Sequence, residues 1–213
     1  MRISNRFENH IVAAATVAMS AAAAANAAVV YSGIINFVCA VDSDGCYINV
    51  ETNVLSNGVY TDVPGWDVNP FRPASGSGMA FFGSSGGAMV GLTTNSTAAK
   101  LATGTAIGAS STFAINSTNS VTFGSAAGNW QYGSENLVGF RFVSSAGTTH
   151  YGWMRFLMGS QPSTGNLVAR TVVDYGYESV AGTSILAGAG IPAPGALALL
   201  GVAGLAGARR RRA

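Results

Sequence analysis

Leu137-Val-Gly-Phe-Arg-Phe-Val143, His150-Tyr-Gly-Trp-Met-Arg-Phe-Leu-Met158 and Leu167-Val-Ala-Arg-Thr-Val-Val-Asp-Tyr-Gly-Tyr-Glu178 decide the fold class. Each run is rich in aromatic and β-branched residues and alternates with period two, which is the pattern of a strand. In the first, Val138, Phe140 and Phe142 share one face and Arg141 takes the other. In the second, Tyr151, Trp153 and Arg155 oppose His150, Met154, Phe156 and Met158. In the third, Arg170, Asp174 and Glu178 oppose Val173, Tyr175 and Tyr177. Such alternation predicts one wet face and one buried face, with Phe140, Phe142, Phe156, Val173 and Tyr175 in the core.

Working outward, shorter strands are expected at Val29–Val38, Cys46–Glu51, Met79–Phe82, Ala88–Leu92, Thr112–Ile115 and Val121–Phe123. No segment between 28 and 190 carries helical periodicity with caps. Many short strands between Gly-rich turns predict an all-β domain, a β-sandwich or a jelly roll. Residues 74–135 are dominated by Ser, Thr, Gly, Ala and Asn. They read as β-structure with long polar loops rather than as a linker. Asn95-Ser-Thr97 and Asn116-Ser-Thr118 match a glycosylation acceptor pattern. No repeat of fixed period is evident.

The two ends have a different character. Arg2 and Arg6, the apolar run Ile11 to Ala25 and the Ala25-Asn26-Ala27 site form the pattern of a secretory signal peptide, cut after Ala27. At the other end, Ile191-Pro-Ala-Pro-Gly195 leads into the apolar stretch Ala196 to Ala208 and then Arg209, Arg210, Arg211 and Arg212. That stretch spans roughly 20 Å as a helix, against about 30 Å of bilayer hydrocarbon. It suits temporary anchoring, with the arginines on the cytoplasmic side. The chain therefore divides into a signal segment 1–27, an exported body 28–190 and a tail 191–213.

That tail resembles the PEP-CTERM sorting signal of bacterial exported proteins, with Ala193 standing where the name-giving Glu would be. The resemblance implies recognition and cleavage by an exosortase, an integral membrane enzyme. Val63-Pro-Gly-Trp-Asp-Val-Asn-Pro-Phe71, His150–Phe156 and Asp174–Glu178 are similar to the β-rich bodies of planctomycete proteins with such tails. This likeness implies an extracellular protein of unknown activity.

Within the body, five basic residues meet eight acidic ones, a net charge of −3. The formal +2 of the whole chain comes from its targeting ends. No basic patch exists for nucleic acid. Cys39 and Cys46 bracket Ala-Val-Asp-Ser-Asp-Gly, and Asp44-Gly45 is a hairpin-turn signal. The reading is a β-hairpin stapled by a disulfide, which an oxidising compartment permits. The spacing lacks the C-x-x-C and the nearby His of a redox or metal pair. Asp42-Ser-Asp44 hints at calcium, but the fuller loop pattern is missing, and a plain turn is favoured.

The search for chemistry finds little. His150 is the one histidine of the body, placed beside Met154 and Phe156, and it reads as structural. No nucleophile elbow, H-E-x-x-H motif or phosphate loop is present. Asp174 and Glu178 lie about 13 Å apart along one strand at roughly 3.3 Å per residue, too far for paired glycoside hydrolysis, which leaves a pair drawn from different strands, such as Asp67 with Asp174, open. Neither a cofactor nor a metal is implied. Trp66, Trp130, Tyr151 and Trp153 are candidates for a sugar-stacking platform, of which Trp66, Tyr151 and Trp153, with Arg155 for an acidic sugar, are the candidate glycan contacts; the alternative is that such rings fill the core. The expectation is an exported surface or matrix protein, structural or adhesive and exopolysaccharide-associated. Its partners would be signal peptidase and an exosortase-type membrane enzyme. A carbohydrate-binding module is the alternative, and a glycan-active enzyme comes third.

Overall fold

The structure, a computed structural model, describes residues 28–40, 45–71, 78–84, 86–91, 97–114, 118–163 and 168–192. The signal segment 1–27, the tail from Ala193 onward (Pro194, Gly195 and Arg209 to Arg212 included), Asp42, Asp44, Asn95 and Asn116 lie outside the described residues. The fold is all-β. Apart from one 3-10 turn at Tyr60–Asp62, every regular element among the described residues is a strand.

In chain order these are β1 Val29–Tyr31, β2 Phe37–Cys39, β3 Tyr47–Asn49, β4 Val54–Ser56, β5 Val68–Phe71, β6 Ala80–Gly83 and β7 Ala88–Met89. There follow β8 Ala106–Ile107, β9 Thr118–Ser120, β10 Glu135–Val143, β11 Thr149–Met158, β12 Arg170–Glu178 and β13 Ile185–Leu186. Six of them form an antiparallel sheet in the order β1-β12-β11-β10-β7, with β2 pairing farther along β12. Five form a second sheet, β4-β3-β5-β6-β9, and β13 pairs with β8.

The three longest strands are those the alternation predicts, and they stand side by side. The expected strand 29–38 breaks in two, because Gly33 and Asn36 adopt left-handed φ values of 73° and 48°. Both halves still follow β12. The segment between them donates from Ser32 N to Tyr175 O (3.0 Å) and from Ile35 N to Val173 O (2.9 Å). The hairpin expected across Cys39 and Cys46 does not form. Its first arm, β2, joins the six-stranded sheet, while its second, β3, pairs with β4 and β5. The disulfide is present, with Cα atoms 5.5 Å apart, and it ties the two large sheets together.

Those two sheets share one apolar core. Ile48, Val68 and Phe81 reach into it from the five-stranded sheet, and Phe140, Phe142, Phe156 and Tyr175 from the six-stranded one. The expectation of a wet opposite face on the six-stranded sheet is overturned. A second cluster (Val90, Ile107, Phe113, Tyr151, Trp153, Ile185 and Ala187) covers that side too. Its lid is the β8–β13 ladder and the strap that follows it. Ala187 N donates to Thr105 O (2.8 Å), Trp153 Nε1 donates to Ala189 O (3.0 Å), and Ile191 packs against the cluster. Gly190, at φ +86°, lies so close to β1 that a Cβ there would come within 2.8 Å of Val29 Cγ1. Both ends of the described chain therefore meet at one corner.

A bulge corrects the reading of the third strand. Arg155 pairs with Asp174 but Phe156 pairs with Val172, so Val173 is an extra residue. An extra residue reverses side-chain parity beyond it. Arg170 accordingly falls on the side of Val172, is fully buried, and donates from Nη2 to Ala40 O (3.3 Å).

Candidate functional site

Three of the four predicted glycan contacts are consumed by the fold. Trp153 has no exposed surface, since the strap lies over it and Tyr31 stacks on it at 6.2 Å. Tyr151 is buried against Phe113, with ring centroids 6.0 Å apart. Arg155 is engaged by carboxylates: Nε and Nη2 reach Asp174 at 2.9 and 2.5 Å, and Nη1 reaches Glu135 at 3.0 Å. The bonds to Asp174 raise the guanidinium pKa and outweigh burial. Tyr31 Oη also donates to Asp174, and burial together with that bond pushes its phenol up to about 12. None of these groups is free to take a ligand. His150 is held through both ring nitrogens: Nδ1 lies 2.8 Å from Glu178 O and Nε2 3.0 Å from Thr148 Oγ1.

Trp66 fares differently, because it belongs to the outer face of the five-stranded sheet. Alternation decides what stands beside it. Ile48, Val68 and Phe81 point into the core, so their neighbours Tyr47, Asn69 and Phe82 point out. Val63-Pro-Gly-Trp66 is a turn with Pro second and Gly third, the type II preference. Gly65 takes φ +67°, and Trp66 N donates to Val63 O at 3.1 Å. Asn49 Nδ2 holds the turn through Pro64 O and Gly65 O, both at 3.0 Å.

The result is an aromatic groove of about 350 Å³ lined by Tyr47, Tyr60, Trp66, Asn69, Phe71 and Phe82. Tyr47 meets Trp66 edge-on at 5.2 Å and Tyr60 at 6.5 Å, and Trp66 lies 6.2 Å from Phe82. Tyr60 is 60% exposed and Phe82 40%, which is unusual for rings of this size in a folded body. Asn69 is only 6% exposed, and its Oδ1 has no hydrogen-bond partner among the described residues. Its amide presses on Gly45, where a Cβ would clash.

Directly after Trp66 comes Asp67, buried between the sheets. Its Oδ2 accepts from Val50 N at 2.8 Å. Burial pushes its carboxyl up to about 7; the Val50 bond pulls it down, and the charge of Glu51 pushes it up again. The turn it braces bridges the two sheets, since Glu51 Oε2 accepts from Ser145 N (2.7 Å) and Asn53 Oδ1 from Tyr175 Oη (2.7 Å). A second cavity, about 330 Å³, lies under the strap between Lys100, Glu135, Arg155 and Ile191, where the ionic groups largely satisfy one another.

Among the described residues no group of three or more His, Cys, Asp or Glu could hold a metal ion, and no helix is long and apolar enough to cross a membrane. Comparison of the chain with protein-family models, with curated proteins and with solved structures gives no match. Of the groove residues, sequence reasoning finds Trp66 and misses Tyr47, Tyr60, Asn69, Phe71 and Phe82. The usable signal is the Val-Pro-Gly-Trp turn, which announces a Trp on a loop at a strand entrance.

Proposed function

We propose that the chain is an exported surface or matrix protein, associated with exopolysaccharide, that holds glycan on the aromatic face of its five-stranded sheet and has no catalytic role. One observation carries the reading. Tyr47, Tyr60, Trp66 and Phe82 gather on the outward side of a sheet whose inward residues already fill the core. Tyr60 and Phe82 are exposed and Tyr47 and Trp66 half-buried, more open than packing requires, and an apolar concavity with a polar group in it is what a ligand site requires. The body is read as a β-sandwich, the six- and five-stranded sheets stacked face to face around the shared core.

The route outward rests on the two ends. Signal peptidase cuts after Ala27, and the tail, Ile191 to Gly195 with the apolar stretch and Arg209 to Arg212, presents the body to an exosortase-type membrane enzyme. The arginines stay on the cytoplasmic side until processing. The resemblance to PEP-CTERM signals supports this route. So does the Cys39–Cys46 disulfide, a bond suited to an oxidising exterior.

Retention of the full chain on immobilised exopolysaccharide from the producing cells tests the function. Trp66→Ala is expected to weaken retention about tenfold, equal to ~1.4 kcal/mol. Trp153→Phe, on the far side of the six-stranded sheet, is expected to leave it unchanged. Equal retention by the Trp66 variant and the wild type sinks the aromatic-face reading. Full-length protein confined to the cytosol, arginines attached and thiols reduced, sinks the export route.

A further inference from the structure

We infer that the aromatic groove selects uncharged polysaccharide, gripped by ring stacking and by the Asn69 amide. This rests on the glycan-holding reading above and adds the chemical class of the glycan. Among the described residues no charged side chain lines the groove. The acid of the Tyr60 turn, Asp62, is exposed, accepts from Val59 N at 3.1 Å and Ser56 Oγ at 3.4 Å, and offers an anionic sugar only repulsion. The cation best placed by sequence to meet a uronic acid, Arg155, is bound to Asp174 and Glu135 on another face of the molecule. The body as a whole carries −3, which disfavours the approach of a polyanion.

Stacking is indifferent to charge, so specificity falls to the polar groups of the lining, and among the described lining residues Asn69 is the one side chain besides the phenols that can accept a hydrogen bond. Asn69 offers donors and an acceptor but no charge, the complement of sugar hydroxyls. Its Oδ1 is buried without a partner among the described residues. A buried acceptor left unpaired penalises the empty groove, and that penalty is relieved when a hydroxyl donates to it. The terminal amide torsion is soft, so a small rotation brings the oxygen to the ligand.

The test is calorimetry of the full chain with hexasaccharides of two kinds. The neutral probes are cello-, manno- and xylo-oligosaccharides; the acidic ones are alginate and polygalacturonate fragments. A neutral probe is expected to bind at least about tenfold tighter than any acidic one, with affinity insensitive to salt. Asn69→Ala is expected to weaken that binding about tenfold while the melting temperature holds or rises, because the variant removes an unsatisfied buried group. Unchanged affinity in Asn69→Ala overturns the role of the amide. Salt-sensitive preference for an acidic probe overturns the inference and leaves the glycan-holding reading standing. Binding of no oligosaccharide overturns both. A dimer in sedimentation that Trp66→Ala dissolves assigns the face to a second copy of the chain, and overturns the inference as well.

Discussion

Asp67 is the residue in which burial, charge and the candidate site meet. It follows Trp66 in the chain, is 3% exposed, and is easier to protonate in the fold than in an unfolded chain. Such a carboxyl stabilises the fold most in acid. Its contribution is complete below the ordinary value near 4, drains away as the pH rises toward about 7, and is gone above that. Across that window the wild type is expected to lose up to about 4 kcal/mol from this group. Asp67→Asn keeps an acceptor for Val50 N without the charge, and is expected to be the more stable protein at pH 8 with a flat profile. Urea midpoints at pH 5 and pH 8 check this, and parallel profiles for the two proteins refute it. The sequence shows an Asp beside a Trp and no more. The energetic character of Asp67 comes from the two sheets closing over it, which no local pattern records. His150 is the opposite case, because its alternation with Met154 and Phe156 already places it inward.

At the level of elements, the turn at 63–66 works as a bracket. Asn49 clamps it with two hydrogen bonds and also receives Glu51 N and Thr52 N on its Oδ1 at 3.1 and 2.9 Å. Asn49→Ala removes all four, at about 1 kcal/mol net per bond or less. The expected outcome is a loss of roughly 2–3 kcal/mol in urea unfolding together with weaker glycan retention, because Trp66 loses its seat. A variant that is destabilised yet binds normally separates the bracket from the site. β10, β11 and β12 are legible from residues alone, since their alternation is long and clean. β5 is hidden by Pro70, which argues against a central strand; here Pro70 needs only its carbonyl, which accepts from Cys46 N at 3.2 Å. The bulge at Val173 is invisible in sequence for another reason: one extra residue leaves every side chain plausible on either face. For the same reason Tyr47 and Phe82 look like ordinary core residues. Whether a strand aromatic faces in or out is settled by what packs against the sheet.

For the molecule as a whole, the decisive fact is that the six-stranded sheet is covered on both sides. The lid comes from segments such as 98–107 and 185–191 by neighbourhood rather than by pattern; their Ala, Gly and Thr residues carry no strong periodicity, so the sequence announces a wet face where Trp153 is sealed. The disulfide acts at this scale too, joining the end of β2 to the start of β3 across two sheets, with both sulfurs buried. Replacing Cys39 and Cys46 together with Ala is expected to cost about 2–3 kcal/mol, the closure entropy of a short loop. An unchanged urea midpoint on adding reductant to the wild type contradicts it.

The approach of Gly190 to Val29 has a mechanical corollary. Ala28 and Pro192 leave the body from the same corner, where Ser179 N also donates to Ala28 O at 3.0 Å. A pull applied between the two ends peels β1 from the strap and leaves the layered interior out of the load path. The same adjacency makes the described body nearly circular: a few residues joining Ala28 to Pro192, with a new opening at the turn between Ser144 and Gly147, preserve the sheet pairings among the described residues and rewrite only the order in which the strands are made.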